Sequence, residues 1–161
     1  MTIGNINSLD PSASQAMFLA CCGSEAWASS MVAGRPFDTL DQLRHYANEK
    51  WWHLTKEDWL EAFSKHPRIG EKRRLSEWST EEQRGMAGAE DQTVQKMAQL
   101  NEAYFEKFGW IYIVCATGKN GDEMLALLEL RIQNDASQEL HNASQEQAKI
   151  MDLRIRKLLA E

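Results

Sequence analysis

Two short stretches combine side chains that could move a proton and hold a polar ligand. They are Lys65-His66-Pro67-Arg68-Ile69-Gly70 and, a little downstream, Ser79-Thr80-Glu81-Glu82-Gln83. Imidazole titrates near neutral pH, so His66 could serve as general acid or base. Glu82 could accept hydrogen bonds from a ligand or hold an imidazole in one tautomer, and Gln83 offers both a donor and an acceptor edge. Each has a plainer reading: His66 could simply cap a helix end, Ser79 and Glu82 form a capping box without any chemistry, and Gln83 could be a solvated first-turn residue.

A second wall could come from main chain. The backbone of Val114, Cys115, Ala116, Thr117 and Gly118 could read amide edges, with the glycine allowing close approach, or it could be a buried segment that ends in a turn. For a carboxylate, the bidentate guanidinium of Arg154 is the choice among the arginines. It lies one turn from Ile150 and from Leu158 on a partly apolar face, although a surface or dimer salt bridge also accounts for it, and Arg68, Arg131 and Arg156 compete for the role. No metal site is expected, because His45 and His53 share no ligand spacing with each other or with a cysteine. The three cysteines contain no CxxC pair and read as buried reduced thiols, and Lys72-Arg73-Arg74 reads as a solvated loop.

The elements that must position these residues are helices. Asp10-Pro11 offers an N-cap and a first-turn proline, and Gly23 could close that helix in the left-handed conformation. Ser24 restarts a helix carrying Trp27, Met31 and Val32 as far as Gly34, and a third shows Leu40, Leu43, Tyr46 and Ala47 on one stripe. Thr55 to Asp58 has the form of a capping box before Trp59, Leu60 and Phe63. Pro67 disfavours the helical conformation at His66 and so places the imidazole at a helix C-terminus. Residues 68–78 read as a surface loop, and Ser79 opens the longest helix, ending at Phe108-Gly109; Gly85 and Gly88 near its start suggest close approach by backbone or ligand. Residues 110–116 are short, β-branched and aromatic between glycines, and read as a buried extended segment. Helices resume with Met124, Leu127, Leu128 and Ile132 on one face, and Ser137 begins the last.

At 161 residues the chain fits one domain spanning 1–161. The fold expected is an all-α, single-domain irregular helical bundle with one short extended segment at about 110–117. A net charge of -6 argues against a nucleic-acid or anionic-membrane surface. No apolar run approaches a membrane span of roughly 18 residues, the N-terminus lacks a secretory pattern and the C-terminus lacks a peroxisomal address, so the expected location is the cytoplasm.

Several of these runs together resemble the family of 2-oxo-4-hydroxy-4-carboxy-5-ureidoimidazoline (OHCU) decarboxylases. The resemblance is carried by Cys22-Gly23-Ser24 with Trp27, Arg35-Pro36-Phe37, His66 to Gly70, Glu82-Gln83, Asn101 to Tyr104, Lys107-Phe108-Gly109, Ile113 to Lys119, and Arg131 with Asn134. It implies an all-α fold, a homodimer, no cofactor, and release of carbon dioxide from OHCU to give (S)-allantoin in urate degradation. It also implies His66 as general acid/base with Glu82 as its catalytic companion. Pro67, Ser79, Gln83, residues 114–118 and Arg154 would then bind substrate. The other readings are a non-catalytic helical interaction module, whose polar residues merely cap helices, and a same-fold enzyme acting on another ureide.

Overall fold

The structure is a computed structural model, and it describes residues 1–68 and 91–160. Among these residues there are eight helices and no strand: α1 (Ile3–Ser8), α2 (Pro11–Cys21), α3 (Glu25–Ala33), α4 (Leu40–Trp52), α5 (Lys56–Ser64), α6 (Asp91–Phe108), α7 (Gly121–Arg131) and α8 (Ala136–Leu158). The all-α expectation is met. The chain divides into two compact units, Met1–Ala62 with Ala148–Glu161, and Phe63–Gln147. Both boundaries fall inside helices, one within α5 and the other within α8.

In the first unit the helix starts follow the capping rules read from the sequence. Asp10 accepts from the Ala13 N–H ahead of Pro11, Ser24 accepts from the Trp27 N–H, and Thr55 and Asp58 form the reciprocal box at 3.3 Å each. The end of α2 differs from expectation. Gly23 does not have a positive φ; the helix closes on Cys22 in an extended conformation, its N–H donating to the Phe18 carbonyl. Helix α1 was not anticipated, since six residues show no apolar period. It exists because Thr2 and Asn5 cap each other reciprocally, while Arg35 Nη1 donates to the Ile6 and Leu9 carbonyls at its other end.

The core of this unit is built on tryptophan. Trp27 and Trp51 are fully buried, Trp27 packs edge-on against Phe18, and its indole N–H donates 3.0 Å to the Ala47 carbonyl. A buried indole therefore keeps a partner, as its polar edge demands. Gly34 ends α3 at φ -78°, so its glycine serves space and not the left-handed conformation: a Cβ there would enter the ring of Tyr46.

In the second unit Phe63, Met97, Tyr104, Tyr112, Met124 and Leu128 are buried. Helix α6 stops at Gly109 (φ 88°), as its composition indicated. Helix α7 begins with a capping box between Asn120 and Glu123, but Leu125, not Leu127, joins Met124 and Leu128 in the core. Helix α8 begins at Ala136, one residue earlier than expected, and Asp135 caps it by accepting from the Gln138 N–H at 2.7 Å. Residues 111–116 lie outside every helix and make no strand pairing, although 112–116 are buried. Several of their main-chain groups are satisfied by side chains instead. Arg131 donates to the Ile113 carbonyl, the Cys115 N–H donates 3.0 Å to Glu146 Oε1, and Lys119 Nζ donates 2.8 Å to the Cys115 carbonyl.

Candidate functional site

His66 sits two residues beyond α5, where its N–H donates 3.2 Å to the Phe63 carbonyl. Pro67 behind it is buried, and the helix cannot continue through that position. The imidazole is partly buried and its Nε2 lies 2.7 Å from Oε1 of Gln147, a residue of α8 with no exposed surface. The preceding residue of α8, Glu146, is the one that holds the Cys115 N–H. Two consecutive residues of one helix thus hold the His66 ring and the Cys115 main chain, which belong to the two stretches that the sequence marks as opposite walls of a site. Both stretches are therefore anchored on α8.

Within that wall Val114, Cys115 and Ala116 are buried, whereas Thr117 and Gly118 are exposed in a turn with Gly118 at φ 78°. Both polar main-chain groups of Cys115 already engage side chains, so the accessible backbone of this wall is the turn at Thr117 and Gly118. Ser79, Glu82 and Gln83 lie outside the described residues. Arg68 is held by Glu102 at 2.6 Å and covers the Phe105 ring, 5.3 Å from its centroid.

Arg131, another competitor for a ligand carboxylate, is committed elsewhere. It pairs with the fully buried Glu139, donates to the Ile113 carbonyl and stands 4.8 Å over the Tyr112 ring. Glu139 also accepts from Tyr104 at 2.8 Å and from Asn134 and Asn142 at 3.1 and 3.2 Å. A buried carboxylate with that many donors is a structural anchor, and it holds the 111–116 segment through Arg131.

The OHCU decarboxylase family profile matches residues 7–156. The chain belongs to this family. It is 36% identical over 153 residues to the uric acid degradation bifunctional protein TTL of Arabidopsis thaliana, covering 88% of this chain and 46% of that protein. It is 27% identical over 161 residues to the 2-oxo-4-hydroxy-4-carboxy-5-ureidoimidazoline decarboxylase of Haloferax volcanii, covering 96% of this chain and 94% of that one. The chain thus spans about half the length of the bifunctional relative and nearly all of the second. A crystal structure of an OHCU decarboxylase in the presence of (S)-allantoin superposes with a TM-score of 0.81 at 36% identity, over 89% of this chain and 97% of that chain.

In this member of the OHCU decarboxylase family, Arg154 is a residue of the first unit. It is buried, and Nη1 points 3.5 and 3.4 Å from the carbonyls of Ala20 and Cys21 at the C-terminal end of α2, where a cation complements the helix dipole. It is therefore not a solvated surface arginine. Its charge favours the thiolates of Cys21 and Cys22, but burial outweighs it and pushes both thiols up to about 12. Those thiols are not activated nucleophiles. A groove of about 430 Å³ in the same unit is lined by Asp41, Arg44, His45, Asn48, Met151 and Asp152, two of which, Arg44 and Asp152, form an ion pair of 2.7 Å. Among the described residues no helix is long and apolar enough to cross a membrane.

Gln147 and Glu146 are the residues that reading the sequence missed. A signal was present: on α8 the positions 139, 143, 147, 150 and 154 share one stripe at helical spacing, and three of those five are polar. An apolar trace through Leu140, Ile150, Leu153 and Leu158 meets that stripe only at Ile150, because the three leucines are half-buried, and it passes over the polar members of the buried stripe.

Proposed function

We propose that this chain decarboxylates OHCU to (S)-allantoin in urate degradation, as one domain over 1–161. The observation that carries the reading is His66, held at a proline-terminated helix end by a fully buried amide 2.7 Å away. An imidazole anchored in that way can deliver a proton along one direction. In the substrate the carboxylate sits on a carbon next to a C=N group. As the bond from that carbon to the carboxylate breaks, carbon dioxide leaves and its electron pair flows into the imine. One proton then completes the product, and the ring itself serves as electron sink, so the chemistry calls for no cofactor.

In this reading His66 is the proton donor and Glu82 its catalytic companion. Pro67, Ser79, Gln83 and the wall of Val114, Cys115, Ala116, Thr117 and Gly118 bind substrate, with the turn at Thr117 and Gly118 presenting the accessible main chain. Arg154 is proposed for the substrate carboxylate on the chemistry of its guanidinium. The protein acts as a homodimer in the cytoplasm.

The test is a parallel assay on freshly generated OHCU and on its precursor 5-hydroxyisourate, following optically active allantoin with protein and with buffer. The protein should accelerate the OHCU step alone. His66→Ala should lower kcat by roughly 10²–10⁴ while leaving helical circular dichroism unchanged. Wild-type turnover by that variant would remove His66 from the chemistry.

A further inference from the structure

We propose that Gln147 is a positioning residue that decides which nitrogen of His66 exchanges the catalytic proton, an inference that rests on His66 being the proton donor. Gln147 Oε1 is 2.7 Å from His66 Nε2, a short contact made inside a fully buried amide environment. An amide oxygen accepts and never donates, so Nε2 carries the hydrogen in this contact. A neutral His66 is then the Nε2–H tautomer, and the nitrogen that gains and loses a proton is Nδ1. The contact is made from α8, whose neighbouring Glu146 also fixes the Cys115 N–H, so one helix holds both the ring and the 111–116 segment.

A second observation separates Gln147 from a residue chosen to fill space. Its Nε2 is buried and has no hydrogen-bond partner among the described residues. A buried donor without an acceptor is costly, and a hydrophobic side chain of similar size would avoid that cost. Retaining the amide makes sense where its oxygen is needed, and among the described residues the bond that oxygen makes is to His66.

The decisive measurement is the tautomer of His66 by nitrogen-15 NMR in ¹⁵N-histidine-labelled protein. The chain has four histidines, and His66→Asn identifies the signal by its absence. The expected wild-type pattern, above the ring's titration, is protonated Nε2 and unprotonated Nδ1. Gln147→Met should give a mixture of tautomers and lower kcat about tenfold or more with KM within about twofold, whereas Gln147→Glu, which keeps an acceptor, should retain the Nε2–H pattern and part of the lost rate. An Nδ1–H pattern in the wild type would mean that the amide donates to the ring, and would overturn the proposal. So would Gln147→Met with wild-type tautomer and kcat. Should wild-type protein fail to turn over OHCU, the functional reading falls, and the tautomer measurement still decides what Gln147 does to His66.

Discussion

Cys21 and Cys22 lie fully buried within reach of the Arg154 charge, and for both thiols the loss of hydration dominates. A thiol pushed up to about 12 is ionised to only about one part in 10⁴ at pH 8, against about a tenth at its ordinary value of 9.0. Native protein treated with iodoacetamide at that pH should leave both residues unlabelled by peptide mass spectrometry, and the same treatment in denaturant should label them. Labelling in the native state would mean that this corner of the core opens. Glu139 is a buried carboxylate served by four side-chain donors. Glu139→Ala would strip Arg131, Tyr104, Asn134 and Asn142 of their shared acceptor, and a cost of about 3–5 kcal/mol in urea unfolding is expected from breaking a buried pair on one side. A loss below about 1 kcal/mol would show that solvent takes over the role.

At the scale of elements, the join between α3 and α4 depends on an absent side chain. Gly34 adopts an ordinary helical φ, and Tyr46 is fixed by its hydroxyl donating to the Ser30 carbonyl at 3.1 Å and by an edge contact to Phe37. Gly34→Ala should therefore destabilise by about 1–3 kcal/mol through overpacking, and Tyr46→Leu in the same chain should recover part of that loss. Equal effects in both backgrounds would point to backbone and not to the ring. Helix starts were legible in the sequence because capping is local: Asp10, Ser24 and Thr55 each need only residues three positions on. The same locality placed His66 outside its helix. What was not legible is long-range. Gln147 lies 81 residues from the ring it contacts, and Glu146 is 31 from Cys115, and no short-range rule links such pairs. The 110–117 segment was read as buried, which holds for Trp110 and for 112–116 but not for the half-buried Ile111 or the exposed Thr117, and 111–116 lie outside every helix; its hydrogen bonds go to side chains of α7 and α8 and to Lys119, where a strand would have used a neighbouring strand.

For the molecule as a whole, four buried acids share a direction of shift. Burial raises Cys21 and Cys22 to about 12 from 9.0 and raises Tyr104 and Tyr112 above their ordinary 10.0. Each is neutral in the folded chain at a pH where the unfolded chain has begun to ionise. Their contribution is complete below the unfolded values and is lost as pH climbs toward the folded ones. Stability in urea should hold steady from these groups up to about pH 8 and fall above about pH 9, by up to about 1.4 kcal/mol per pH unit for each group titrating in the unfolded state only. A flat profile to about pH 11 would mean that the core admits water. Replacing both thiols with valine should postpone the onset.

The boundaries between the two compact units have a consequence for how this chain can be inherited. Domains usually meet in exposed linkers, but here the division at 62–63 falls within α5 and that at 147–148 within α8. Cutting at either place would open a run of backbone hydrogen bonds in mid-helix and, at α8, sever the chain immediately after Gln147. Gene fusion and recombination that respect stability must therefore carry the whole helical body. The family profile, which matches residues 7–156, runs across both divisions, as such indivisibility predicts, and a relative about twice as long matches 88% of this chain.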